Sequence, residues 1–349
     1  MPFVLWMGAV QAQGLEAKLI HRGVVEYWVH GAQPDLAWVP YIHPPGYSLF
    51  MNMLDTYNQF WGWDEAIFTL WIGWACRAGM VVVVAAAAQH WLGSRWALLA
   101  AALTAFSAQG VRPFEHYPLA SLLGTFALIA IVELGRRGDR RSVAMAVGTV
   151  FIAVELHLST WFLVGGMMAT IFFAMADRRR AAFVASVTMI GAFMLTTFPG
   201  LYRVLEIGTG RDDIGDMAEG AATLEWANPL LMATLLLWAV PALFRKSVPA
   251  ASLAVGTALF TVVTTFLQQG QAADGQPYPF SLHYYELVDT ATILGAVWAL
   301  ALVWRSGRRA PAGALAALLL FSQVGLYFHG LKYVWLDRFW FWATLWPFE

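Results

Sequence analysis

Cysteine is almost absent from this chain. Cys76 is the single one in 349 residues, which excludes an internal disulfide framework and any cysteine-based metal cluster within one chain. Charge is scarce as well. Only 12% of residues are Asp, Glu, Lys or Arg, against 59% hydrophobic, and mean hydropathy is +0.59. A water-soluble domain could not cover its surface with so few polar groups, so the lipid bilayer is the chain's natural solvent and first partner. The net charge is -1. No basic face with interleaved aromatics offsets that balance, which excludes a nucleic-acid partner.

What the sequence has instead is a succession of apolar runs of roughly 17 to 25 residues, the length needed to cross a membrane as a helix. Read with their polar boundaries, they predict membrane helices at 66–91, 94–108, 116–134, 142–156, 159–176, 182–198, 228–244, 249–267, 287–305 and 311–329. The amino terminus, Met1 to about Val10, is apolar but shorter than a span, and reads as the outer part of a first membrane helix. Val10-Gln11-Ala12 loosely resembles a signal-peptidase site, though no basic segment precedes it. The expected fold class is all-α, a polytopic membrane protein with about eleven transmembrane helices.

Orientation follows from the arginines. Arg95, the group Arg136, Arg137, Arg140 and Arg141, then Arg178 to Arg180, Arg245 with Lys246, and Arg305, Arg308 and Arg309 fall in alternate short loops. The positive-inside rule makes those loops cytoplasmic. Thirteen of the 21 basic residues then lie inside and seven outside, with Arg77 left within a helix. Histidines show the opposite bias, because His21, His30, His43, His116, His157, His283 and His329 fall outside and only His90 inside. A simple preference for interfaces would populate both faces. The skew points to chemistry or anion binding on the outer face.

Residues 14–62 do not read as a span. In Leu15 to His30, apolar Ile20, Val24, Tyr27 and Trp28 recur at helical spacing while Lys18, Arg22, Glu26 and His30 form a polar row, the pattern of a helix lying in the interface. A second such helix is expected from Tyr47 to Trp61. Carried across the membrane, it would place Asp55 near the midplane at a cost of roughly 2.5 to 3.5 kcal/mol, which an interfacial pose avoids. The domain organisation expected is a membrane module over 1–198 with interfacial helices at 15–30 and 47–61, an outer loop at 199–227, carboxy-terminal transmembrane helices over 228–329 and an aromatic interfacial tail at 330–349.

The order of features carries a resemblance. An acid, Glu16, follows the first helix; Tyr41-Ile42-His43-Pro44-Pro45-Gly46-Tyr47 lies in the first outer loop; after two further helices, Val111-Arg112-Pro113-Phe114-Glu115-His116-Tyr117-Pro118-Leu119 opens the next. Over roughly residues 1–175 this resembles the amino-terminal module of the GT-C superfamily of polyprenyl-phosphate-sugar-dependent membrane glycosyltransferases, which includes protein O-mannosyltransferases and lipid A aminoarabinose transferases. The resemblance implies transfer of a sugar from a polyprenyl-phosphate donor to an acceptor on the outer face of a bacterial inner membrane. It implies that Glu16 is the general base on the acceptor hydroxyl, that His43 contacts the donor phosphate, and that Glu115 takes part in acceptor or metal binding. A divalent metal ion, where the chemistry uses one, would fall to Glu115 and His116.

The residue types suit that chemistry on their own. A carboxylate must take the proton of the attacking hydroxyl, a role Glu16 can fill, and fixed cations must stabilise charge developing on the phosphate leaving group, a role for Arg112 with His43. Each also has a plain structural reading, as a solvated group at a helix end. Tyr117 joins this outer set. Glu155 and His157 end one predicted helix, His283 and Glu286 open another with Asp289, and both sets read as cavity-lining groups or as wet helix termini and caps. Arg203, Arg211, Asp212, Asp213 and Asp216 read as a solvated loop or a lid, without the spacing of an EF-hand. Trp335, Phe339, Trp340, Phe341, Trp342 and Trp346 read as an interfacial anchor or as a surface for a membrane protein partner. That partner surface supports a second reading, a noncatalytic subunit built on the same scaffold.

Overall fold

The computed structural model describes residues 65–107, 117–156, 160–196, 234, 247–267 and 286–331, and among them it is helical with no strand. The helices are α1 Glu65–Leu92, α2 Ser94–Ala105, α3 Tyr117–Arg137, α4 Arg140–Leu156, α5 Thr160–Ala174, α6 Arg179–Thr196, α7 Val248–Leu267, α8 Glu286–Arg305 and α9 Arg309–Leu331. All of them begin and end within three residues of the apolar runs read from the sequence. The interfacial helices expected at 15–30 and 47–61, the loop 199–227, the helix 228–244 apart from Thr234, and the tail beyond Leu331 lie outside the described residues.

Among the described residues, four stretches are long and apolar enough to cross a membrane, Ile72–Leu92, Pro118–Arg137, Val288–Arg305 and Arg309–Phe328, and two shorter apolar helices accompany them. They mark the chain as an integral membrane protein. Large side chains on the outside agree, with Phe173 and Phe321 more than 70% exposed and Phe183, Val187, Ile190 and Met194 along one face of α6, a surface that lipid covers at no cost and water does not. Within the helices, Thr104, Thr125, Thr170 and Thr292 donate to the carbonyl four residues back, so their hydroxyls need no water.

Two helices form the centre. α3 packs against α1, α4, α5, α6, α7 and α8, and α8 against α1, α2, α3, α7 and α9. Around α8 every residue from Ala296 to Ala301 is buried, which explains why it reads as apolar on all sides rather than striped. A close crossing joins α5 to α7 through Gly166 and Gly256. A Cβ on Gly256 would lie 2.6 Å from the Leu163 carbonyl oxygen, and one on Gly166 would lie 2.8 Å from the Gly256 Cα. Small residues thus let two backbones touch where lipid provides no hydrophobic drive to hold them together. Gly256→Leu is therefore expected to destabilise the folded protein by about 1–3 kcal/mol, whereas Gly165→Leu, whose Cβ meets nothing, leaves it unchanged. Thermal unfolding of both variants in nanodiscs checks this, and equal melting curves would refute it.

One correction concerns α2. The sequence predicts a spanning helix over 94–108, but the helix ends at Ala105 and at 1.5 Å per residue covers only about 18 Å, well short of a hydrocarbon core of about 30 Å.

The arginines gather at one end. Of the twelve among the described residues, all but Arg77 sit in the α1–α2, α3–α4, α5–α6 and α8–α9 turns, and cross-contacts tie these turns together. Arg178 donates to the Arg136 carbonyl, Arg305 to the Leu92 carbonyl, and the Arg95 guanidinium lies 4.6 Å from the Trp304 ring centroid. Glu133 anchors the same end, accepting from the Trp91 indole at 2.7 Å and pairing with Arg136 and with Arg137 at 2.9 Å. His90, the one histidine expected inside, is 3.6 Å from it.

The α3–α4 turn is built for its position. Gly138 takes φ +65° to end α3, donating to the Leu134 carbonyl, and Asp139 caps α4 by accepting from the Ser142 N–H at 2.7 Å. That backbone N–H, with the Ser142 hydroxyl, holds the Asp139 carboxyl below the usual carboxylate range. A depressed pKa contributes stability that is complete above the unfolded value, near 4, and disappears as pH falls through the lower folded value. Asp139→Ala is expected to lower the melting temperature at pH 7 and to remove this acid-side component. Melting curves at pH 7 and below 3 that stay offset by the same amount would contradict it.

Candidate functional site

α1, α3, α5 and α8 run toward the arginine-rich end, while α2, α4, α6, α7 and α9 run away from it. The opposite, far end therefore collects the starts of the first set and the finishes of the second. Three residues singled out from the sequence are placed there by their backbones: Tyr117 at the first position of α3, Glu155 in the last turn of α4 and Glu286 at the first position of α8. Glu16, His43, Arg112, Glu115, His116, His157 and His283 lie outside the described residues. Ser107 and Tyr117, the described neighbours of the segment that carries Arg112, Glu115 and His116, both belong to this far end.

Below that end lies a polar cluster inside the apolar bundle. Asp289, near the start of α8, accepts a hydrogen bond from the Ser107 hydroxyl just beyond α2, and from the Gln323 amide of α9 at 3.4 Å. The same amide lies 3.4 Å from the Leu103 carbonyl. Arg77, buried in α1, acts electrostatically on Asp289 and on Tyr327, and the Tyr327 ring meets Phe106 edge-on at 5.7 Å. The shortness of α2 explains part of this. A helix that ends early leaves carbonyls without intrahelical partners, and a side-chain amide from a neighbouring helix reaches one of them.

The remainder concerns charge. An ionised group within the hydrocarbon is costly and tends to face protein and an opposite charge, and Arg77 acts electrostatically on Asp289 from a helix more than two hundred residues away in the chain. The cluster ties α1, α2, α8 and α9 together where they approach the far end. No family model and no curated protein matches the chain. Its reading rests on its own residues.

In the sequence the two charges stand apart. Arg77 stood out as a charge within a span, and Asp289 as an acid near a helix start, where a cap is the ordinary explanation. The signal that could have joined them is that an intramembrane arginine needs an acid at matching depth, and Asp289 is the acid that lies inside an apolar run on the same side. Ser107 and Gln323 gave no such signal. Among the described residues no group of three or more His, Cys, Asp or Glu could hold a metal ion, and the pair suggested for that role, Glu115 and His116, is not among them.

Proposed function

We propose that this protein is a polytopic membrane glycosyltransferase, taking sugar from a polyprenyl-phosphate donor to an acceptor at the end of the bundle opposite the arginine-rich turns. The observation that carries the proposal is the grouping at that end: helix ends bearing Tyr117, Glu155 and Glu286, together with both described flanks of the Arg112 and Glu115 segment. A lipid phosphate at headgroup depth on that side would meet cations from Arg112 and His43, and a carboxylate, Glu16, would accept the proton of the attacking hydroxyl as the anomeric bond breaks. Atoms balance in that step: the acceptor oxygen bonds to the anomeric carbon, the phosphate leaves with the electron pair, and the proton goes to Glu16.

The arginine-rich turns support the sidedness, since they belong on the cytoplasmic face and leave the far end outside, in a bacterial inner membrane. Consumption of a labelled polyprenyl-phosphate sugar by the purified protein in proteoliposomes, with a membrane extract as acceptor source, tests the proposal. A protein that melts as a folded species yet leaves the donor intact would favour the noncatalytic subunit.

A further inference from the structure

The arginine-rich end is not uniform. In the α3–α4 and α5–α6 turns, arginines share their surroundings with acids: Glu133 pairs with Arg136 and Arg137, Asp139 caps α4, and Asp177 lies 3.5 Å from Arg178. The other corner, formed by the α1–α2 and α8–α9 turns, carries Arg95, Arg305, Arg308 and Arg309; among the described residues neither turn has a carboxylate of its own, and Glu133 of α3 reaches its edge at Trp91 and His90. Two of these four are already engaged, Arg95 over Trp304 and Arg305 on the Leu92 carbonyl. Arg308 and Arg309 are exposed.

Beside Arg308 a cavity of about 160 Å³ opens between α8 and α9. Its walls are mostly apolar, with Leu300 and Val303 from α8, Ala312 and Leu315 from α9, and Thr234. Leu300 lies five residues before the end of α8 and Leu315 six residues into α9, so at 1.5 Å per residue the groove reaches about 7–9 Å below the helix ends. That depth runs from the headgroups into the upper part of the acyl chains. The space suits a short stretch of hydrocarbon, not a whole lipid.

We infer that this groove is a binding site for an anionic phospholipid of the cytoplasmic leaflet, whose phosphate lies against Arg308 and whose proximal acyl chain fills the slot between α8 and α9. Charge complementarity selects the occupant. Four arginines with no acid in their turns favour a headgroup with net negative charge, and guanidinium groups match phosphate oxygens in pairs. The apolar walls then separate a lipid from a soluble anion. The site lies at the end opposite the proposed transfer chemistry and does not depend on it.

The test titrates dioleoyl phosphatidylglycerol, dioleoyl phosphatidylcholine or inorganic phosphate into the detergent-purified protein, following its melting temperature and retained lipid by native mass spectrometry. Phosphatidylglycerol is expected to raise the melting temperature and to remain bound as one lipid per chain, with no such effect from the other two. Arg308→Gln, a change at an exposed position, should raise the half-saturating concentration about fivefold, the value of one interfacial arginine. Leu315→Trp, which fills the groove, should abolish lipid retention, and Arg180→Gln, at the acid-containing corner, should change neither readout. Equal effects of Arg308→Gln and Arg180→Gln would show diffuse attraction to a basic surface and overturn the site, as would undiminished retention in Leu315→Trp or stabilisation by phosphate alone.

Discussion

Glu16→Gln is expected to reduce turnover by about 10²- to 10⁴-fold, the usual contribution of a positioned general base, while donor binding stays close to that of the parent protein. The substitution keeps the size and hydrogen-bonding capacity of the side chain and removes its basicity. Arg112→Ala supplies the contrast, because under the proposed function it removes a charge that the donor phosphate would use in the ground state and the transition state alike. Binding and turnover should then fall together. Measuring both variants with a labelled lipid-linked sugar separates the two roles. A fully active Glu16→Gln would transfer the role of base to Glu115 or Glu155, and activity surviving loss of all three carboxylates would support the subunit reading instead.

The second large effect concerns Arg77 and Asp289. Asp289→Asn keeps an acceptor for Ser107 and Gln323 but leaves the Arg77 charge without its acid, and Arg77→Met leaves the Asp289 charge without its guanidinium. Each single variant is expected to be less stable, by a coupling of about 0.5–3 kcal/mol, since either charge then lacks the opposite charge it feels through the interior. The double variant Arg77→Met with Asp289→Asn carries no stranded charge and keeps the hydrogen bonds around position 289. It should be more stable than either single variant. Unfolding of the four proteins in nanodiscs gives the coupling directly, and additive losses would mean that the two charges do not depend on each other.

Much of this fold could be read from the sequence because one physical signal dominates it. A helix in lipid must be long and apolar, so Val288–Arg305 and Pro118–Arg137 announce themselves, and the arginines bounding them give the alternation of the turns. What could not be read is how the helices meet. Gly166 and Gly256 are unremarkable in sequence, and only their close approach shows why neither can carry a side chain. The early end of α2 was hidden too, because Phe106 continues the apolar run.

For the candidate site the position is reversed. The sequence draws attention to Glu16, His43, Arg112 and Glu115 through short motifs, while the described helices explain the setting at which Tyr117, Glu155 and Glu286 arrive. The Asp289 cluster emerged only with coordinates, because its members come from four helices and two of them, Ser107 and Gln323, are neutral residues with no distinctive spacing. The alternation of arginines along the chain was legible, since charge in a short turn is a local property. Arginines that alternate along the chain come together at one end because the helices between them run antiparallel.

The central claim is that sugar leaves a polyprenyl-phosphate donor at the face opposite the arginine-rich turns. The most direct measurement reconstitutes the protein in proteoliposomes of known orientation, supplies labelled donor to one leaflet at a time, and follows label leaving the lipid fraction. The account predicts consumption only when donor and acceptor are available at the far-end face, with no consumption from the arginine-rich face. Equal consumption from the arginine-rich face, or an intact donor on both sides with correctly folded protein, would contradict it.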